Sequence, residues 1–150
     1  LHVDDNDDEA ALLQAALRSA HLDLCVRHVP SGDDAIAYFQ QYAGTDLFPH
    51  LVLLDLNMPR MSGFEVLAWI RQRFRDLPVI IHTSSDVPDD LARARALGAT
   101  LYLVKSLSNN DLIACLKKLK DTLGAAGDQS TVMHAPVPVP AGIWPVFGRE

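Results

Sequence analysis

Short apolar runs alternate with amphipathic stretches along this chain, and that alternation restricts the fold more than any other feature. The runs fall at residues 1–3, 24–29, 51–54, 78–83 and 101–104. Each is too short for a helix and rich in Val, Ile and Leu, as expected of strands buried on both faces. Five β-α repeats imply an α/β fold, a doubly wound parallel sheet with helices on both faces. Right-handed crossovers leave only a few such topologies.

The intervening stretches carry helix signals. Asp7 or Asp8 is expected to cap the first helix, with Glu9 in its positive first turn and Ala11, Leu12, Ala15 and Ala16 on its inner side. Ser31 with Asp34 predicts the second cap, before Ala35, Ile36, Phe39 and Tyr42. Ser62 predicts the third, with Val66, Leu67, Ile70 and Phe74 inward and Phe64 and Trp69 off that stripe, partly exposed. Pro88 opens the fourth, with Leu91, Ala94 and Leu97 inward and Gly98 as its stop. Ser108 is expected to cap the fifth, with Leu112, Ile113, Leu116, Leu119 and Leu123 on one face.

The length of 150 residues suits one domain with its own core. A net charge of −6 argues against a nucleic-acid surface, since only Lys117, Lys118 and Lys120 cluster. Cys25 and Cys115 read as reduced core thiols of a cytoplasmic protein. No run approaches the roughly 18 apolar residues of a membrane span, and no signal peptide is visible. The chain starts in mid-strand without Met, so its true N-terminus is expected upstream. From residue 124 the composition changes, as Gly124, Gly127, Pro136, Pro138, Pro140 and Pro145 exclude a continued helix. Val132, Met133, Val137, Val139, Ile143, Trp144, Val146 and Phe147 are nevertheless too apolar for a typical disordered tail. The expected organisation is a domain over 1–123 and an extended arm over 124–150, packed on the domain or on a second subunit.

In a parallel sheet all strand carboxyl ends share one edge, where ligands gather. Four strands end there in Asp4/Asp5, Asp55, Thr83 and Lys105. Singly, Asp55 reads equally well as a cap, Thr83 as a strand former and Lys105 as a solvated lysine. Jointly they place three carboxylates, a hydroxyl and an ammonium together. Clustered carboxylates need a counter-charge, and Mg²⁺ accepts such oxygen ligands. Cation, ammonium and hydroxyl together suit an incoming phosphoryl group, with Asp55 as nucleophile giving an aspartyl phosphate.

Val3-Asp4-Asp5-Asn6, then Leu54-Asp55-Leu56-Asn57-Met58-Pro59 with Gly63, then Thr83, Tyr102 and Lys105 form an ordered set. That set resembles the receiver domain of two-component response regulators. The resemblance implies a flavodoxin-like fold with strand order 2-1-3-4-5, and phosphotransfer to Asp55 from a sensor histidine kinase or a phosphotransfer protein. It implies Mg²⁺ held by Asp5, Asp55 and the backbone carbonyl of Asn57, with Asp4 acting through water. It further implies that Lys105 contacts the phosphoryl group, that Thr83 moves toward it, and that Tyr102 changes rotamer. The face formed by the fourth helix, fifth strand and fifth helix would then change its partner affinity. The residues after Asp55 and the tail resemble single-domain regulators associated with bacterial phytochromes, some of which dimerise through C-terminal arms. Neither nucleic acid nor membrane is an expected partner, and the protein is expected to be a phosphoacceptor rather than an enzyme.

Two other readings compete. A phosphohydrolase of the haloacid-dehalogenase type also uses an Asp nucleophile with Mg²⁺, but wants an acid where Asn57 stands. A receiver that has lost phosphorylation would serve as an interaction scaffold. Receivers usually have Pro, joined by a cis bond, directly after the Lys. Ser106 stands there instead and predicts a trans bond and a reshaped loop. His82, beside Thr83, is expected to point to the opposite face and to be structural. Asn57 and Ser85 are expected to tune hydrolysis of the phosphate.

Overall fold

The computed structural model describes residues 1–105 and 109–125, with the backbone alone for 122–125. Strands β1 (His2–Val3), β2 (His28–Val29), β3 (Val52–Leu54), β4 (Val79–Thr83) and β5 (Leu101–Val104) alternate with helices α1 (Asp7–Ser19), α2 (Gly32–Tyr42), α3 (Gly63–Arg73), α4 (Pro88–Ala96) and α5 (Asn110–Ala125). All pairings are parallel and the strand order is β2-β1-β3-β4-β5, the flavodoxin-like topology. The caps of Ser108, the Lys105–Ser106 bond and residues 126–150 lie outside the described residues.

The sheet separates two apolar cores by residue parity. Val3, Leu54, Ile81 and Tyr102 face α2, α3 and α4, where they meet Phe39, Leu67, Ile70 and Ala94. Leu53, Ile80, Leu101 and Leu103 face α1 and α5, where they meet Leu13, Leu17, Leu112 and Leu116. Ser31 and Ser62 cap α2 and α3 as expected, and Ser62 forms a full capping box with Glu65. Pro88 occupies the first turn of α4, and Gly98 follows that helix at φ 90°.

Five expectations change. The cap of α1 is Asn6, whose side chain accepts the Asp8 N–H, rather than Asp7 or Asp8. The buried face of α1 is Ala10, Leu13 and Leu17 rather than Ala11, Leu12, Ala15 and Ala16, and Leu12 is 59% exposed. The apolar run offered two overlapping stripes, and the one with two inward leucines removes more area from water. Strand β2 covers two residues instead of 24–29, because apolar character makes a strand only where a neighbour completes the ladder. Cys25 is therefore exposed rather than a core thiol, and Cys115 is half-buried. Phe64 is buried although it lies off the α3 stripe, with the Arg93 guanidinium of α4 at 4.2 Å over its ring. Trp69 is partly buried, as expected.

Candidate functional site

The strand carboxyl ends bring together what the sequence separates by up to a hundred residues. Asp4, Asp5 and Asp55 each offer a carboxylate oxygen, and these atoms lie within 4.8 Å of one another. Lys105 Nζ donates to Asp4 Oδ2 at 2.8 Å and stands 3.8 Å from Asp55 Oδ2. Parallel pairing fixes this arrangement, since Asp55 N–H donates to the Val3 carbonyl and Lys105 N–H to the Thr83 carbonyl. The β3–α3 loop closes tightly behind Asp55. Gly63 N–H donates to the Leu56 carbonyl at 3.0 Å. A Cβ on Gly63 would stand 2.1 Å from the Asp55 carbonyl oxygen, so only glycine permits this approach.

The three carboxylates differ in environment. Asp4 is buried, and burial alone would push its carboxyl up. The neighbouring His2 ring and hydrogen bonds from Lys105 and the Asn6 N–H outweigh burial and hold it well below the usual carboxylate range. Asp5 is exposed. Asp55 is buried, and its Oδ1 accepts no hydrogen bond from any described residue. Lys105 is pulled down by burial, but its hydrogen bond to Asp4 and the charge of Asp55 raise it above the ordinary lysine value.

Thr83 and Tyr102 belong to the α3/α4 side of the same edge. Thr83 is fully buried, and its Oγ1 accepts from Asn57 Nδ2 at 3.4 Å and from Ser85 N–H at 3.3 Å. Tyr102 is turned inward, with its hydroxyl donating to the Ser85 carbonyl at 3.0 Å. Burial pushes its phenol up. Ser85 Oγ donates in turn to Asp90 Oδ2 at 2.6 Å, fastening the loop to the first turn of α4. One chain of hydrogen bonds thus joins Asn57, Thr83 and Ser85, and another joins Tyr102, Ser85 and Asp90.

Three buried or half-buried histidines stand beside the acids; sequence reasoning placed His82 on the face opposite Thr83, as observed, but gave no role to His2 or His28. His2 Nε2 lies 3.6 Å from Asp4 Oδ2, and its Nδ1 is buried with no hydrogen-bond partner among the described residues. His28 Nε2 is 2.8 Å from the Asp4 carbonyl oxygen. The His2 and His28 rings are 5.4 Å apart. His82 is buried on the α1/α5 side, away from Thr83, and burial with the charges of Lys105 and His2 lowers it to about 4. The legible signal was parity: His2 precedes Asp4 by two residues on one strand face.

The donor set fits a divalent cation. It consists of hard oxygens, one of them buried and unpartnered, and its excess negative charge is only partly offset by Lys105. Asp5 and Asp55 are the residues free to hold such an ion, since both Asp4 oxygens already accept hydrogen bonds from Asn6 and Lys105.

Comparison with known proteins agrees with this architecture. Residues 1–117 match the family description "Response regulator receiver domain". The chain is 34% identical over 124 residues to the probable methanogenesis regulatory protein FilR2 of Methanothrix harundinacea, covering 81% of this chain and 80% of that one. It is 32% identical over 124 residues to response regulator Rcp1 of Synechocystis, covering 80% and 84%. The Mn²⁺-bound structure of Rcp1 superposes with a TM-score of 0.62 at 29% identity, over 89% of this chain and 96% of that one. The phosphorylated cyanobacterial phytochrome response regulator RcpA superposes with a TM-score of 0.69 at 30% identity, over 87% and 96%. With its fold, its acidic edge and its relatives in agreement, this chain belongs to the response regulator receiver family.

Proposed function

We propose that the protein is a phosphorylation-dependent signalling module in which Asp55 accepts a phosphoryl group from a sensor histidine kinase or a phosphotransfer protein. The observation that carries this reading is the state of Asp55. It is a buried carboxylate with one oxygen unpartnered among the described residues, Lys105 at 3.8 Å and two further carboxylates within ligand reach. In the transfer, an Asp55 oxygen forms a bond to phosphorus as the P–N bond to the donor imidazole breaks, and the imidazole leaves with its electron pair. Mg²⁺ held by Asp5, Asp55 and the Asn57 carbonyl would neutralise charge on the phosphoryl oxygens, with Asp4 acting through water. Lys105 supplies the protein's own positive charge on the same oxygens.

The readout follows from the neighbouring hydrogen bonds. For Thr83 to reach a phosphoryl group it must give up its contacts with Asn57 and Ser85. That loosens the loop which the inward Tyr102 and Asp90 hold, and shifts the population of the α4–β5–α5 face. Asn57 and Ser85 then tune the lifetime of the phosphate through their hold on Thr83. The apolar residues beyond α5 serve as an arm to a second copy, and the chain works in the cytoplasm.

The test is incubation with acetyl phosphate or beryllofluoride and Mg²⁺, followed by mass spectrometry or fluorine NMR. An adduct on the wild type that is absent from Asp55→Asn is expected. Equal behaviour of the two would leave the scaffold reading, and steady turnover of phosphate esters would favour the phosphohydrolase. Light scattering with and without residues 124–150 tests the arm, which an unchanged oligomeric state refutes.

A further inference from the structure

We infer that His28 is a positioning residue that holds the Asp4–Asp5 loop in its metal-binding shape. The inference rests on the reading that Asp5 and Asp55 take a divalent cation, and it adds a residue from β2 to that site. The β1–α1 turn has to present two successive carboxylates at a strand end, where like charges push it open. Besides the His2 ring 3.6 Å from its Oδ2, three hydrogen bonds restrain Asp4. Its N–H donates to the Val29 carbonyl at 3.2 Å, its Oδ1 accepts the Asn6 N–H at 2.9 Å, and its Oδ2 accepts Lys105. A further restraint is the contact of His28 Nε2 with the Asp4 carbonyl at 2.8 Å. A carbonyl only accepts, so the proton must sit on Nε2. This fixes the tautomer and turns Nδ1 toward the first turn of α1, where Asp7 Oδ1 lies 3.8 Å away. The His2 ring, 5.4 Å off, braces the imidazole from the sheet side. His28 thereby ties the loop's main chain to β2 immediately before exposed Asp5, whose direction depends on the Asp4 peptide.

Mn²⁺ is the probe, with the free ion counted by electron paramagnetic resonance at neutral pH. His28→Leu removes the donor and is expected to weaken Mn²⁺ binding about tenfold, the usual scale for partners that orient a metal ligand. His28→Gln offers an amide N–H at similar reach and is expected to recover most of that loss. Nitrogen-15 NMR of the wild type is expected to show the Nε2–H tautomer. Leu binding within twofold of wild type, Gln as weak as Leu, or an Nδ1–H tautomer would each overturn the assignment. The tautomer measurement decides even where Leu does not fold. A wild type that binds Mn²⁺ but takes no phosphoryl group defeats the phosphoacceptor reading and leaves His28 in place. A wild type that binds no ion defeats the metal reading and the role of His28 with it.

Discussion

The two faces of the sheet are built from the same strands by alternate residues, yet they are unlike. Toward α2, α3 and α4 the interior is apolar and aromatic: Phe39 packs against Phe48, Trp69 and Phe74 with ring centroids 5.6–5.9 Å apart. Toward α1 and α5 the leucines of the lower sheet give way, near the carboxyl edge, to His2 and His82 beneath Asp4 and Lys105. Among the described residues the first face buries no charged side chain, and it serves stability. The second gives up stability to hold charges for which the folded chain alone supplies too few partners. A substitution that shrinks a side chain should therefore destabilise the first face, while one that removes charge or polarity should stabilise the second.

The largest effect expected on the aromatic face is from Phe39→Ala, which should lower unfolding free energy by about 4 kcal/mol, as truncation of fully buried phenylalanines does. Urea denaturation measures it, and a loss under about 1 kcal/mol would deny the face its stabilising role. On the polar face, His82 titrates at about 4 when folded, below its ordinary 6.5. The unfolded chain takes the proton first, so this contribution is fully present above pH 6.5 and is lost as pH falls toward 4. The span is on the order of 3 kcal/mol. His82→Val should remove that slope, and a variant with an unchanged pH profile of stability would assign the slope to another group.

Asp55→Asn tests the contrast in sign. Relief of repulsion among three carboxylates should stabilise the metal-free protein by about 1–2 kcal/mol. Added Mg²⁺ should close the gap by stabilising the wild type more. Melting with chelator and with Mg²⁺ reads both, and a less stable Asn variant in chelator would break the comparison. The smallest effect belongs to neither face. Ser62→Ala removes the α3 capping box, in which Ser62 Oγ accepts the Glu65 N–H and Glu65 accepts from Ser62, and should cost about 1 kcal/mol.

Much of this was legible in one dimension. Short apolar runs alternating with helix signals give the α/β class, and strand ends give Asp4, Asp5, Asp55, Thr83 and Lys105 as one group, because a parallel sheet gathers its carboxyl ends whatever the loops do. Capping residues Ser31 and Ser62 were readable because a cap is a local hydrogen bond. What failed depended on neighbours. Leu12 and Leu13 are equivalent to a periodicity count, and only the docking of α1 buried one and left the other exposed. Phe64 lay off its helix stripe and was buried by a different helix. Cys25 sat in an apolar run of which only His28 and Val29 pair with β1.

The sequence by itself determined which chemical groups stand at the sheet edge, since side-chain identity and strand order are written in the chain. Tertiary structure decided how those groups differ from one another. Asp4 is held ionised by Lys105, His2 and Asn6, while Asp55 keeps an unpartnered oxygen. Burial and hydrogen-bond partners set those states, and both come from residues distant in the chain that only packing brings within reach.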